Sequence, residues 1–360
     1  MKRIAIVVAT FCVMFVVSPA QAWQFAPLEN FPAPAANAFD VTGTALADGR
    51  LVFWNGDTVY FQKQLHVDAF EAVATGYAGD PGFIALTPDG SQLILGEGFG
   101  GALYRLSVHA PEDFTPESIV ATQSHYDGLF LTQDLLLLDI SKPDWSGTEL
   151  VVLDVSADKA GLKDVAAWMP VVRKPAVEDE DKGLVVEKPD FSYSASLAHD
   201  PVADTVYAFD GNAQELRYFD RQALVSAYET GTTLDWDTDG VLVGAPGDFF
   251  TSGVGGVMAD GLLLVAGAMG FFEPGGIQVV DPVLSDPAQA YVLLVLDPAE
   301  TQGFYNVIYN PVTAAVIAIS DGKAFITREH VQPLPLATGL GLLLTATGLA
   351  FLGRRRASRL

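Results

Sequence analysis

The sequence predicts an all-β fold, a β-propeller of six blades. Three observations carry that expectation. A unit of strand, tight turn, strand, glycine loop and strand recurs six times along the chain. Helical periodicity is almost absent. The last unit lacks a fourth strand, and the segment "AWQFAPLEN" near the start of the chain can supply it.

The clearest unit is "FIALTPDGSQLILGEGFGGALYRLSV", Phe83 to Val108. Its Pro-Asp-Gly turn suits a tight hairpin, because Asp and Gly tolerate the left-handed backbone such turns require. "VTGTALADGRLVFWNGDTVYFQ" precedes it, and four units follow with the same order of parts. Their first turns are anchored at Asp48, Asp89, Asp134, Asp200, Asp260 and Asn310. Most units carry a fourth run, such as "FEAVATG" or "AYVLLVLD". Four antiparallel strands repeating every ~40–50 residues is the pattern of a propeller blade. A lone blade cannot bury both faces, whereas a ring of them can. Seven blades is the alternative, because the long interval from Asp134 to Asp200 has room for a degenerate blade; a pair of β-sandwiches is the competing fold. That interval also contains "RKPAVEDEDKG", read as an exposed insertion, and Arg221 to Tyr228 has the composition for a turn or two of helix. The wording "TPDGSQLILG" resembles the repeats of surface-layer and NHL-type propellers, which supports the fold and no particular function.

The chain divides into residues 1–22, 23–330 and 331–360. Lys2 and Arg3, an apolar run from Ile4 to Val17, and the small residues of Ala20-Gln21-Ala22 read as a secretory signal peptide ending at Ala22. At the other end, Leu336 to Gly353 is an 18-residue stretch without charge, followed by Arg354, Arg355, Arg356 and Arg359. Such a stretch is just long enough to cross a bilayer as a helix, and the arginines would hold its end in the cytoplasm. Both ends thus predict an exported body. Pro333-Leu334-Pro335, the Gly/Leu-rich span and the final arginines resemble the PEP-CTERM class of bacterial sorting tails, in its V-P-L-P-A variant. Gln332 intervenes before Pro333, and Leu336 stands where that variant has alanine. The resemblance implies a membrane enzyme of the exosortase type as partner, cleavage near the prolines and delivery to the cell surface. A plain single-pass anchor is the alternative.

The only cysteine, Cys12, lies in the leader, so the body offers no disulfide, thiol nucleophile or thiolate metal ligand. The whole chain carries −24. All six charges of the two ends are basic, so the body is near −30. That argues against nucleic acid and anionic lipid as its partners, both of which need cationic surface.

An acid sits at or just past the end of each second strand: Asp57, Glu97, Asp139, Asp210, Glu273 and Asp321. In a closed ring these fall on one face near the central tunnel. Converging carboxylates suit calcium, which takes several oxygen ligands in flexible geometry. The arrangement resembles that of calcium-dependent lactonases and esterases with six blades, in fold and in acids near the mouth. "DWDTDG" supplies a second candidate in Asp235, Asp237 and Asp239, which begin like a calcium loop. Its continuation departs from one: Pro246 stands at the twelfth position and Val243 at the ninth. "SHYDG", Ser124 to Gly128, sets a His and an Asp before an inner strand, facing the mouth, with His125 as a candidate general base. No Gly-x-Ser-x-Gly elbow is present. "GEGFGG" opens no helix and makes a poor phosphate cradle. Phe271 and Phe272 form a candidate contact for an envelope protein or a glycan. No catalytic set is complete, so the sequence favours a displayed, non-enzymatic binding or scaffold protein, with a calcium-dependent hydrolase as the alternative.

Overall fold

The computed structural model describes residues 23–32, 41–74, 79–98, 101–111, 118–121, 124–141, 148–156, 169–173, 177–179, 184–186, 196–210, 214–244, 252–268, 275–282, 291–294, 306–320 and 322–330. The compact unit is Phe25–Arg328. A second unit, Met1–Gln24 with Glu329–Leu360, falls almost wholly outside the described residues, as do the expected leader and sorting tail. Among the described residues, no helix is long and apolar enough to cross a membrane.

Six antiparallel sheets form the six blades. Blade 1 runs through Thr42–Ala45, Leu51–Trp54, Thr58–Gln64 and Val67–Ala74. Blade 2 has Pro81–Leu86, Gln92–Glu97, Ala102–Ser107 and Ser118–Ala121. Blade 3 has His125–Phe130, Leu135–Ser141, Thr148–Asp154 and Met169–Arg173, with Leu234–Asp235 added in parallel at its edge. Blade 4 has Leu197–Asp200, Thr205–Asp210, Glu215–Asp220 and Val241–Gly244. Blade 5 has Ser252–Ala259, Leu262–Ala268, Gly275–Val280 and Tyr291–Leu294. Blade 6 joins Asn306–Asn310, Ala315–Ser320 and Lys323–His330 to the early strand Trp23–Pro27, the closure expected from the sequence. The first strands of successive blades neighbour one another around the whole ring.

The interval assigned to a possible seventh blade instead contains the fourth strand of blade 3 and a two-stranded hairpin, Val177–Asp179 with Leu184–Val186. The short helix is present at Arg221–Thr230. Asp220 caps it by accepting from the Ala223 N–H, and Gly231 ends it in the left-handed conformation.

The turn chemistry explains why the hairpins form. Asp89 Oδ1 accepts from the Ser91 N–H and from the hydroxyls of Thr87 and Ser91. Asp48 holds the Arg50 N–H in the same way, and Asn310 holds those of Val312 and Thr313. Alternating side chains then sort to opposite faces of each blade. Leu135 and Leu137 pack with Val206 and Ala208 between blades 3 and 4, whereas Leu136 and Leu138 pack with Phe83 and Ile94 between blades 2 and 3. Blade 6 is tied to blade 1 by Asn310 Nδ2 donating to the Gly49 carbonyl at 2.6 Å and Asn306 Nδ2 donating to Thr42 Oγ1 at 2.6 Å.

Candidate functional site

A cavity of about 820 Å3 occupies the centre of the ring. All six first strands contribute to its wall, which reaches the first-to-second strand turns at Pro201, Val202, Gly261 and Pro311. Missing side chains help make the space. At Gly82 a Cβ would lie 1.9 Å from the His125 carbonyl oxygen, so glycine lets blades 2 and 3 approach. Gly255, at φ +101°, lies within the register shift between Gly253 and Gly256 in the first strand of blade 5. The volume is within the range of small-molecule sites.

One acid on the inner wall stands apart. The pairing of blade 3's first strand slips between His125 and Asp127, a bulge that re-aims the residues beside it. Asp127 lines the cavity. Its Oδ2 accepts the Leu197 N–H at 2.7 Å, and its Oδ1 accepts its neighbour Gly128's N–H at 2.8 Å. Leu197 begins the first strand of blade 4, where no described strand of blade 3 pairs with it. A buried N–H needs an acceptor, and Asp127 supplies it across the blade boundary. The carboxyl is only partly accessible, and what is accessible faces the tunnel. Burial pushes its pKa up to about 7, against the pull of the two N–H bonds. Each oxygen retains lone-pair capacity for a ligand or water.

His125, the base expected from "SHYDG", is instead fully buried. Burial lowers its pKa to about 3, opposed by a hydrogen bond with the Glu97 backbone, so it stays neutral across the physiological range. The expectation of a histidine facing the mouth is corrected: the neighbouring aspartate reaches the tunnel and the histidine does not.

Of the six strand-end acids, Glu97 and Asp210 end the second strands of blades 2 and 4, and Asp139 lies two residues before the end of blade 3's, which runs on to Ser141. Asp57 is exposed in a turn of blade 1. None of these four lines the cavity. The reason is geometric: second strands sit one strand out from the tunnel, and their side chains point sideways between blades. Asp139 continues the Leu135–Leu137 face, and Asp210 continues the Val206–Ala208 face, so both lie in the interface of blades 3 and 4. Glu97 accepts from the Ala102 N–H at 3.2 Å and the Tyr104 hydroxyl at 3.3 Å. Burial raises its pKa, with Asp80 adding to the shift. Glu273 and Asp321 lie outside the described residues, as do Phe271 and Phe272.

The second calcium candidate is engaged in its own turn. Asp235 Oδ1 accepts the N–H groups of Asp237 and Thr238 at 2.8 and 2.9 Å, and Asp239 Oδ2 accepts that of Asp235 at 2.7 Å. Asp237 pairs with Arg217 at 3.2 Å. Among the described residues, no group of three or more His, Cys, Asp or Glu is arranged to hold a metal ion. The described carboxylates therefore do not make the oxygen cage calcium needs.

No protein-family model and no curated protein matches this sequence. Solved structures do match in fold. A gluconolactonase from Xanthomonas campestris superposes with a TM-score of 0.52 at 11% identity, covering 85% of this chain and 89% of its own. A calcium-binding protein, regucalcin, from Agrobacterium tumefaciens gives 0.53 at 12% identity, covering 85% and 93%. A luciferin-regenerating enzyme gives 0.53 at 14%, covering 85% and 95%. At these identities the likeness concerns architecture: this chain is a six-bladed β-propeller similar to theirs.

Proposed function

We propose that this protein is a small-molecule hydrolase acting on lactones or esters in the central tunnel, with Asp127 as its acid–base group. This reverses the order favoured by the sequence, in which a non-enzymatic scaffold came first. One observation carries the reading: a carboxyl held by two backbone N–H groups on the tunnel wall, titrating near neutrality. A general base works best when its pKa is near the working pH. Ionised Asp127 takes a proton from a water as its oxygen bonds to the substrate carbonyl carbon. Collapse of the tetrahedral intermediate breaks the bond to the leaving alkoxide, which takes the proton back from Asp127. The similar solved structures named for lactone and luciferin chemistry lend support through fold alone.

Calcium is the finer part of the proposal. It is supported by the regucalcin likeness; of the strand-end acids, Glu273 and Asp321 remain as candidates, and both fall outside the described residues. No step above passes through it.

The full chain should be assayed against a panel of lactones and aryl esters near pH 7.5, with calcium and with chelator. Asp127→Asn is expected to lower turnover by roughly 10²–10⁴-fold. Equal turnover by parent and variant would sink the assignment of Asp127. No turnover of any panel member would return the displayed binding protein, with an envelope protein or glycan as ligand, to first place.

Location is a second part of the proposal. The basic, apolar and small-residue order of residues 1–22 supports export, and the Pro-Leu-Pro, apolar and arginine order of 331–360 supports membrane retention or sorting by an exosortase-like enzyme. Intact mass of protein from the envelope fraction tests both. Loss of 1–22 is expected, and an unprocessed N-terminus would contradict it.

A further inference from the structure

The charges on the tunnel wall have one sign. Its acids are Asp127, Asp200 and Asp260; it has no Lys or Arg among the described lining residues, and His199 is the one basic side chain. His199 Nε2 stands 3.5 Å from Asp204, a carboxylate already held by Arg221 at 2.5 Å. Asp200 and Asp260 lie at the turn end of the cavity. Asp200 accepts the N–H groups of Val202 and Ala203, and Asp260 accepts the Tyr309 hydroxyl. Asp127 is the acid of the inner wall, with apolar lining around the ring that includes Phe83, Ile84, Leu129, Met258 and Ile308.

We infer that the tunnel takes a small molecule bearing a protonated amine on an apolar body, with the ammonium against one oxygen of Asp127 and the other oxygen left to the water of the proposed reaction. The inference rests on the tunnel being the ligand site and names the class of ligand for it. A neutral ligand would displace water from the carboxylate and leave only two backbone N–H groups to offset its charge, which is less favourable than a cation away from bulk solvent. An anionic ligand would add repulsion from three acids on a chain of net charge −24. An ammonium supplies the opposite charge, donates hydrogen bonds to the remaining lone pairs, and leaves its hydrocarbon to the apolar wall.

Three probes of matched shape separate these cases: 2-phenylethylamine, 2-phenylethanol and phenylacetate, titrated into the full chain near pH 7.5 by calorimetry. The amine is expected to bind at least tenfold more tightly than the alcohol, with phenylacetate weakest. In Asp127→Asn the amine's advantage should fall to about twofold or less. The comparison within the parent protein stands even if the variant folds poorly. Equal affinity for amine and alcohol, tighter binding of phenylacetate, or no binding of any probe would overturn the inference. The readout is binding, so it separates from turnover. Amine-selective binding with no hydrolysis would defeat the hydrolase alone, and hydrolysis of neutral lactones without amine preference would defeat the charge selectivity alone.

Discussion

Two acidic stretches of this chain, "DWDTDG" and "SHYDG", have opposite fates. The first has three aspartates in alternation, yet two close their own turn and the third pairs with Arg217. The second has one aspartate, and it reaches the tunnel. The difference is what each chain segment leaves unsatisfied. In the first stretch, the nearby N–H groups and a guanidinium occupy the carboxylates locally. At Asp127, a bulge and an N–H from the next blade hold the carboxyl where part of it still faces open space. Density of acids in sequence is therefore a poorer sign of a site than the fate of their lone pairs.

The largest test of this contrast removes the anchor of the structural stretch. Trp236, within "DWDTDG", is 1% exposed. It packs on Phe219 with ring centroids 5.7 Å apart, lies 5.7 Å from the Arg217 guanidinium carbon, and donates to Glu215 at 3.0 Å. Trp236→Ala should destabilise the propeller by about 3–5 kcal/mol in denaturant melts. Below the melting transition, activity per folded molecule should match the parent's. A selective loss of activity in folded protein would show that the stretch serves the site after all.

Next in size is the pH dependence of stability at the other stretch. Asp127 titrates near 7 in the folded chain and near 3.8 as an ordinary aspartate. A carboxyl whose folded pKa is raised binds its proton more tightly when folded. Its contribution is fully present below about pH 4 and is lost as pH rises through 7. Between these limits the parent should lose up to about 4 kcal/mol relative to Asp127→Asn, whose side chain does not titrate there. Urea melts of both proteins at pH 4, 6 and 8 measure the difference. Parallel curves would mean that the carboxyl is well solvated and that the tunnel reading of Asp127 is wrong.

The fold was legible for a local reason. Turn anchors such as Asp89 and Asn310 act on residues two or three positions away, and alternation along strands such as Leu135–Ser141 sorts side chains without reference to distant sequence. Closure by Trp23–Pro27 was legible because the last unit is one strand short. The site was not legible to the same degree. In "SHYDG" the ring of His125 is the more familiar base, and sequence cannot show that it is sealed. What selects Asp127 is a slip in pairing and the Leu197 N–H, 70 residues onward. Glu97, Asp139 and Asp210 show the converse: they lie at or near the ends of second strands, but the side of the blade they face carries them away from the tunnel.

The smallest effect is the most specific check on "DWDTDG". Asp235→Ala removes one carboxylate that accepts two N–H groups in a solvent-accessible turn. Water can replace much of what is lost, so the expected destabilisation is about 1 kcal/mol, and a calcium titration of melting temperature should run parallel to the parent's. If the stretch were a calcium loop, Asp235 would be its first ligand, and any calcium-dependent rise in melting temperature would vanish with it. A parallel shift in both proteins would instead locate the ion elsewhere, with Glu273 and Asp321 the next carboxylates to replace. The same variant thus distinguishes an aspartate that folds its own turn from one that waits for a ligand.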